Sequence, residues 1–178
     1  MEAMQSMNVT YETLFDILRA ERRRDEVQEL SVTFFDDVVQ YLKQKKELIV
    51  KKEHESGVDA FDEIKAMRIQ YENAQKIIKE IYERREKKIL FMALNKSRTK
   101  MALQPKYLLE QEQEFYEQLT RLLDAYRGDV AEKLMHGIQP KQEIAAVLSS
   151  LAQGSIQKEE GAAKGQNSFG EAIESVAG

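Results

Sequence analysis

Two basic clusters are the residues of this chain with the plainest capacity for chemistry: ERRR, Glu21 to Arg24, and ERREKK, Glu83 to Lys88. Guanidinium and ammonium groups on successive helical turns could hold the phosphates of a nucleic acid or the carboxylates of an acidic protein. From Arg84 to Lys100 there are seven basic residues and one acidic one, Glu86, a local excess of +6. Arg84, Arg85, Lys88, Lys96, Arg98 and Lys100 are therefore the candidates for contact with DNA or an acidic partner. No aromatic platform is interleaved to stack bases, so any contact with DNA is expected to be weak and independent of sequence. The alternative is that Glu21, Glu83 and Glu86 pair with basic neighbours, leaving no open patch.

Other chemistry is thin. Without cysteine, a thiol nucleophile, a disulfide framework and a Cys-ligated zinc are excluded. A reducing compartment is compatible with that. His54 and His136 lie far apart with no convergent acids. The residues three before them are Lys51 and Lys133, so the Glu-x-x-His mark of carboxylate metal bundles is missing. Phosphate-cradling and nucleophile-elbow motifs are absent. The sequence is read as a non-enzyme with no metal and no cofactor.

These residues need a scaffold, and composition says it is helical. Charged residues make up 33% of the 178, against 2 prolines and 8 glycines, and the apolar residues recur at three and four. Residues 1–100 carry 20 Lys/Arg against 19 Asp/Glu, so that part is no polyelectrolyte. The opening MEAMQSMNVT lacks the basic region and apolar run of a secretory signal. No apolar stretch nears the ~20 residues of a membrane span, and no membrane role is expected.

The expected fold is all-α: an antiparallel bundle of about five helices with one very long central helix and a flexible C-terminal tail. Thr10 caps a helix over 10–25, with Leu14, Phe15 and Leu18 on one face, and 25–31 is a connector pinned by Val27 and Leu30. Thr33 caps a helix over 32–53, whose wide apolar face runs from Phe34 and Phe35 to Leu48 and Ile49. A loop at 54–58 leads to Asp59, the cap of a helix that reaches Leu94. NKSRTK, 95–100, interrupts, and Pro105 starts a helix over 105–127 that Gly128 ends. It carries Leu108, Phe115, Leu119, Leu122 and Tyr126 on one stripe, with EQEQE exposed. Val130, Leu134 and Met135 mark a fifth element, and Ile144, Val147, Leu148 and Leu151 a last short helix. Five of the eight glycines stand from position 154 onward, so 8–152 is read as the helical domain and 153–178 as linker or tail.

The stretch NAQKIIKEIYERREKKILFMAL, Asn73 to Leu94, decides the functional reading. Ile77, Ile78, Ile81, Ile89, Leu90, Phe91 and Met92 occupy more than one helical face. A helix apolar around much of its circumference needs cover on several sides, and a bundle this small covers one or two of them. Burial against another subunit is the expectation, through Leu14, Phe15 and Leu18 on the first helix and Ile77, Ile81 and Leu90 on the long one.

The order of these motifs resembles a known family. A short helix ending in ERRR, then Leu30-x-x-x-Phe34-Phe35 leading FFDDVVQYLKQKK, then a long helix closing on Arg84, Arg85, Lys88, Ile89, Leu90 and Ala93, is similar to the archaeal replication factor GINS. The likeness is to the subunit type with its helical domain first, and it covers roughly residues 8–135. It implies a non-catalytic subunit of a tetramer, built with itself or with a second GINS subunit. That assembly would scaffold the MCM helicase and a RecJ-like partner in DNA replication, in the cytoplasm at the replication fork on the chromosome. The family's small β-rich domain has no counterpart in 154–178, where no alternating strands are legible, so it is read as absent or removed. The competing reading is an independent helical nucleic-acid-binding module.

Overall fold

The computed structural model describes residues 9–55, 60–100, 105–140 and 149, and every regular element among them is helical. The chain divides into two compact units, Met1–Tyr116 and Glu117–Gly178.

In the first unit, α1 spans Tyr11–Arg23. It starts where the Thr10 hydroxyl accepts the Thr13 N–H at 3.1 Å, satisfying one orphan donor of the first turn. Its buried line is Leu14, Leu18 and Glu21, and the last of these is a charge. Phe15 stands about 100° away from Leu14 and stays exposed, with the Arg19 guanidinium 5.2 Å from its ring centre.

α2 spans Phe34–Glu55. Thr33 precedes it, and its hydroxyl donates to the Asp37 carboxylate at 2.8 Å. The wide apolar face expected from the sequence is narrower in fact. Phe34, Val38, Tyr41 and Ile49 are buried, whereas Phe35, Val39 and Leu48 are exposed.

α3 spans Phe61–Thr99, 39 residues or about 58 Å of helix. The expected interruption at NKSRTK does not occur. Asn, Ser and Thr are mediocre helix formers, but neither glycine nor proline stands among them, and Ser97 is 1% exposed. Burial there outweighs propensity. The helix ends at Thr99, and Lys100 after it takes the left-handed region (φ 55°), its N–H bonded to the Lys96 carbonyl. Ion pairs join Lys52 to Glu63 and Glu53 to Arg68. Farther along, Phe34, Val38 and Tyr41 share one apolar cluster with Ala74, Ile77 and Ile81. Both sets of contacts require α2 and α3 to run antiparallel. Leu14 and Leu18 of α1, with Val9 and Leu109, complete that cluster.

α4 spans Glu110–Tyr126, beginning five residues after the proline expected to start it. Tyr107, at φ 65°, breaks any earlier start. The buried positions Leu109, Tyr116 and Thr120 lie one residue beyond the predicted stripe of Leu108, Phe115 and Leu119. In the second unit Gly128 does not end the helix. The chain widens into a π-helical stretch, Arg127–Glu132, and then a single turn α5, Lys133–Met135, closed by Gly137 at φ 70°. The Lys133 ammonium pairs with the buried Asp129 carboxylate. The expected Asp59 cap, the helix carrying Ile144 to Leu151, and the tail 153–178 lie outside the described residues.

Candidate functional site

The two basic motifs meet each other. Arg85, halfway along α3, is 2% exposed, and each of its five N–H groups has an acceptor. Nε and Nη2 grip Glu112 bidentately, both at 2.7 Å. Nη1 donates to Glu21 Oε1 at 2.6 Å and to the Gln28 carbonyl at 2.7 Å, and Nη2 also reaches the Tyr107 carbonyl at 3.1 Å. Lys88, one turn on, spends its three protons on the Glu21 carboxylate and the carbonyls of Glu21 and Glu26.

The carboxylates are equally occupied. Glu21 Oε1 accepts the Gln28 N–H at 3.1 Å, and Glu112 Oε2 accepts the Leu109 N–H at 2.9 Å. Because α4 begins at Glu110, Glu112 is its third residue, and reaching back to the preceding N–H is half of a capping box. Two acids and two bases therefore close a neutral cluster. It ties the end of α1, the following connector, the middle of α3 and the start of α4. Burial alone would lower the Arg85 pKa; the hydrogen bonds and charge of Glu112, then of Glu21, outweigh it and raise the value.

A second cluster lies one residue away on both helices. Arg22 grips Glu80 through Nε at 2.9 Å and Nη2 at 2.6 Å, and Arg84 donates to the same carboxylate at 2.8 Å. Hydrogen bonds from Arg22 and then Arg84 hold Glu80 down at about 2. Arg22 is half exposed and Arg84 nearly so.

The six expected basic contacts thus fare differently. Arg85 is buried and Lys88 nearly so, their donors used within the chain, which removes them from an open phosphate-binding patch. Arg84 is paired with Glu80. Lys96 places its ammonium 5.3 Å from the centre of the buried Tyr116 ring. Arg98 and Lys100 are exposed at the end of α3. Glu112 and the carbonyls of Gln28 and Tyr107 were missed by sequence reasoning. A capping-box acid at the third position of α4 was the signal for Glu112, hidden because the helix start was placed at Pro105.

The expected interface residues also separate. Leu14, Leu18, Ile77 and Ile81 belong to the chain's own core, whereas Phe15 and Leu90 are exposed at 43% and 42%. The buried line of α3 runs Ala74, Ile77, Ile81, Arg85, Ile89, Ala93 and Ser97. Phe61, Ile69, Tyr82 and Phe91 stand off that line, each about half exposed or more. Among the described residues no group of three or more His, Asp or Glu side chains could hold a metal ion, and no helix is long and apolar enough to cross a membrane. Comparison with protein-family models, with curated proteins and with solved structures finds no match.

Proposed function

We propose that the chain is a non-catalytic assembly subunit of the GINS type, a scaffold for the MCM helicase and a RecJ-like partner in DNA replication. The single observation that supports it most is the double character of α3. One line of this helix is consumed by its own chain, yet Leu90 and Phe91, directly after the buried Ile89, remain open to water. Large apolar side chains exposed on a long rigid helix suit a protein interface. The charge clusters fit the same reading. ERRR and ERREKK serve to lock α1 and α4 onto α3, so the resemblance rests on residues with a structural task that an assembly subunit needs.

The test is a mass measurement of the purified chain, alone and mixed with a candidate second subunit. An oligomer is expected, and Leu90→Asp with Phe91→Asp should split it while the helical circular dichroism is retained. Ile77→Asp or Ile81→Asp should instead unfold the chain, since both lie in its core. A stable monomer at micromolar concentration that ignores every candidate subunit would overturn the proposal.

A further inference from the structure

The second half of α2 is rich in lysine, KQKKELIVKK over residues 43–52, and the structure sorts those lysines. Lys45 places its ammonium 5.7 Å from the centre of the Tyr41 ring, Lys52 pairs with Glu63, and Lys51 also has a partner. Lys43 and Lys46 are exposed and no ion-pair partner meets them among the described residues. These two fall in line with Val39 and Val50. The spacing of Val39, Lys43, Lys46 and Val50 is four, three, four, the register of a seam between two helices. Phe35 extends the line by one turn at its start, 6.0 Å ring to ring from the core residue Phe34. Phe35, Val39 and Val50 are 36%, 49% and 43% exposed. The line that the chain buries for itself, Phe34, Val38, Tyr41 and Ile49, lies about 120° round the helix from it.

We propose that this outer line of α2 is a docking seam for an acidic amphipathic helix of another protein. The apolar residues at its ends would take apolar anchors of the partner, and the two lysines between them call for carboxylates at facing positions. Charge decides the occupant. A second copy laid in register on the same seam would set ammonium against ammonium, a cost that a partner carrying Glu or Asp there turns into attraction. From Phe35 to Val50 the seam rises about 22 Å, so the partner segment has about four helical turns. This surface is separate from Leu90 and Phe91 on α3, and the proposal does not depend on the assembly role.

The test uses the full chain and two labelled helical peptides of about 18 residues. One carries leucines and glutamates on a single face, with alanine and glutamine elsewhere. The other has lysine in place of each glutamate. Fluorescence anisotropy should show saturable binding of the acidic peptide, and amide shifts should map it to Phe35–Val50. K43E/K46E should keep the helical circular dichroism and weaken that binding by about tenfold or more. The lysine peptide should prefer the double variant over the parent chain. Several results overturn the proposal: no binding of the acidic peptide, equal binding of both peptides, or shifts that map away from α2. A duplex of about 20 base pairs that binds through the same two lysines more tightly than the peptide would transfer the surface to nucleic acid. A mass that halves in K43E/K46E would assign it to a second copy.

Discussion

Glu21 and Arg22 are neighbours on α1, and Arg84 and Arg85 are neighbours on α3, yet each pair divides between two clusters of opposite character. Glu21 and Arg85 enter the closed cluster with Lys88 and Glu112, where side chains are at most 13% exposed. Arg22 and Arg84 share Glu80 on the surface, with side chains between 31% and 50% exposed. Both clusters join α1 to α3 through Arg–Glu hydrogen bonds of similar length, although the closed one also takes in Lys88, Glu112 of α4 and backbone carbonyls. What differs most is water. A charge taken out of water has lost its hydration and depends wholly on its partners, whereas an exposed one falls back on solvent when a partner leaves. Closeness in sequence therefore says little about what a charge is worth; a rotation of about 100° about the helix axis says a great deal.

The largest effect that this contrast implies comes from Arg85→Met. It leaves Glu21 and Glu112 in a buried site with Lys88 as their one remaining cation, and it strips the Gln28 and Tyr107 carbonyls of that donor. A loss of about 3–5 kcal/mol is expected in urea unfolding, with faster amide exchange at Leu109 and the first turn of α4. Replacing the whole set, as in E21L/R85M/K88M/E112L, should restore most of that loss, because the unpaired charges go with the pairs. If the quadruple variant is less stable than Arg85→Met alone, the cluster is a net source of stability and not a device of specificity. Arg85→Lys should fall in between, since an ammonium cannot span Glu112 bidentately while reaching Gln28 and Tyr107.

Lys88→Met is the intermediate case. Its removal leaves one oxygen of Glu21 and two carbonyls without their donor, in a site still partly open to water. About 1–3 kcal/mol is expected, and a loss equal to that of Arg85→Met would mean that exposure does not grade these charges.

The helical class, the long α3 and the Thr10 start were legible, because each follows from spacing and capping within one segment. That Leu14 and Leu18 serve the chain's own core was not, since the sequence reading places them at a subunit interface. Nor was the pairing of ERRR with ERREKK. Both motifs read as polar faces, and Glu21 and Arg85 are 64 residues apart. Whether a basic residue on α3 looks to solvent or to the end of α1 depends on how those distant helices are set against each other. The extent of α3 failed for a related reason. NKSRTK has the composition of a break, but Ser97 is buried and Lys96 lies over the buried Tyr116 ring, contacts that spacing within the segment does not announce. The one-residue shift of the α4 stripe has its origin in Tyr107, whose left-handed backbone delays the helix and aims a carbonyl at Arg85. No local rule marks a tyrosine for that conformation.

The smallest effect belongs to the surface cluster, and pH separates it from the buried one. Arg22 and Arg84 hold Glu80 at about 2, below its ordinary 4.5. A carboxyl lowered in the folded state binds fewer protons there than in the unfolded chain, so its contribution is fully present above about pH 4.5. It is lost as pH falls from there through about 2. Glu80→Gln removes that contribution and leaves the buried cluster untouched. The variant should unfold slightly earlier than the parent at about pH 7, and the two midpoints should converge as pH approaches about 2. The gap should also shrink in salt at ~1 M, where exposed charges are screened within about 3 Å. A gap that stays constant across that pH range, or that resists salt, would mean that Glu80 acts through packing and that the contrast between the two clusters is not one of solvent access. Convergence, together with the persistence of the Arg85→Met deficit in the same salt, would show that access to water grades the charges of these adjacent arginines.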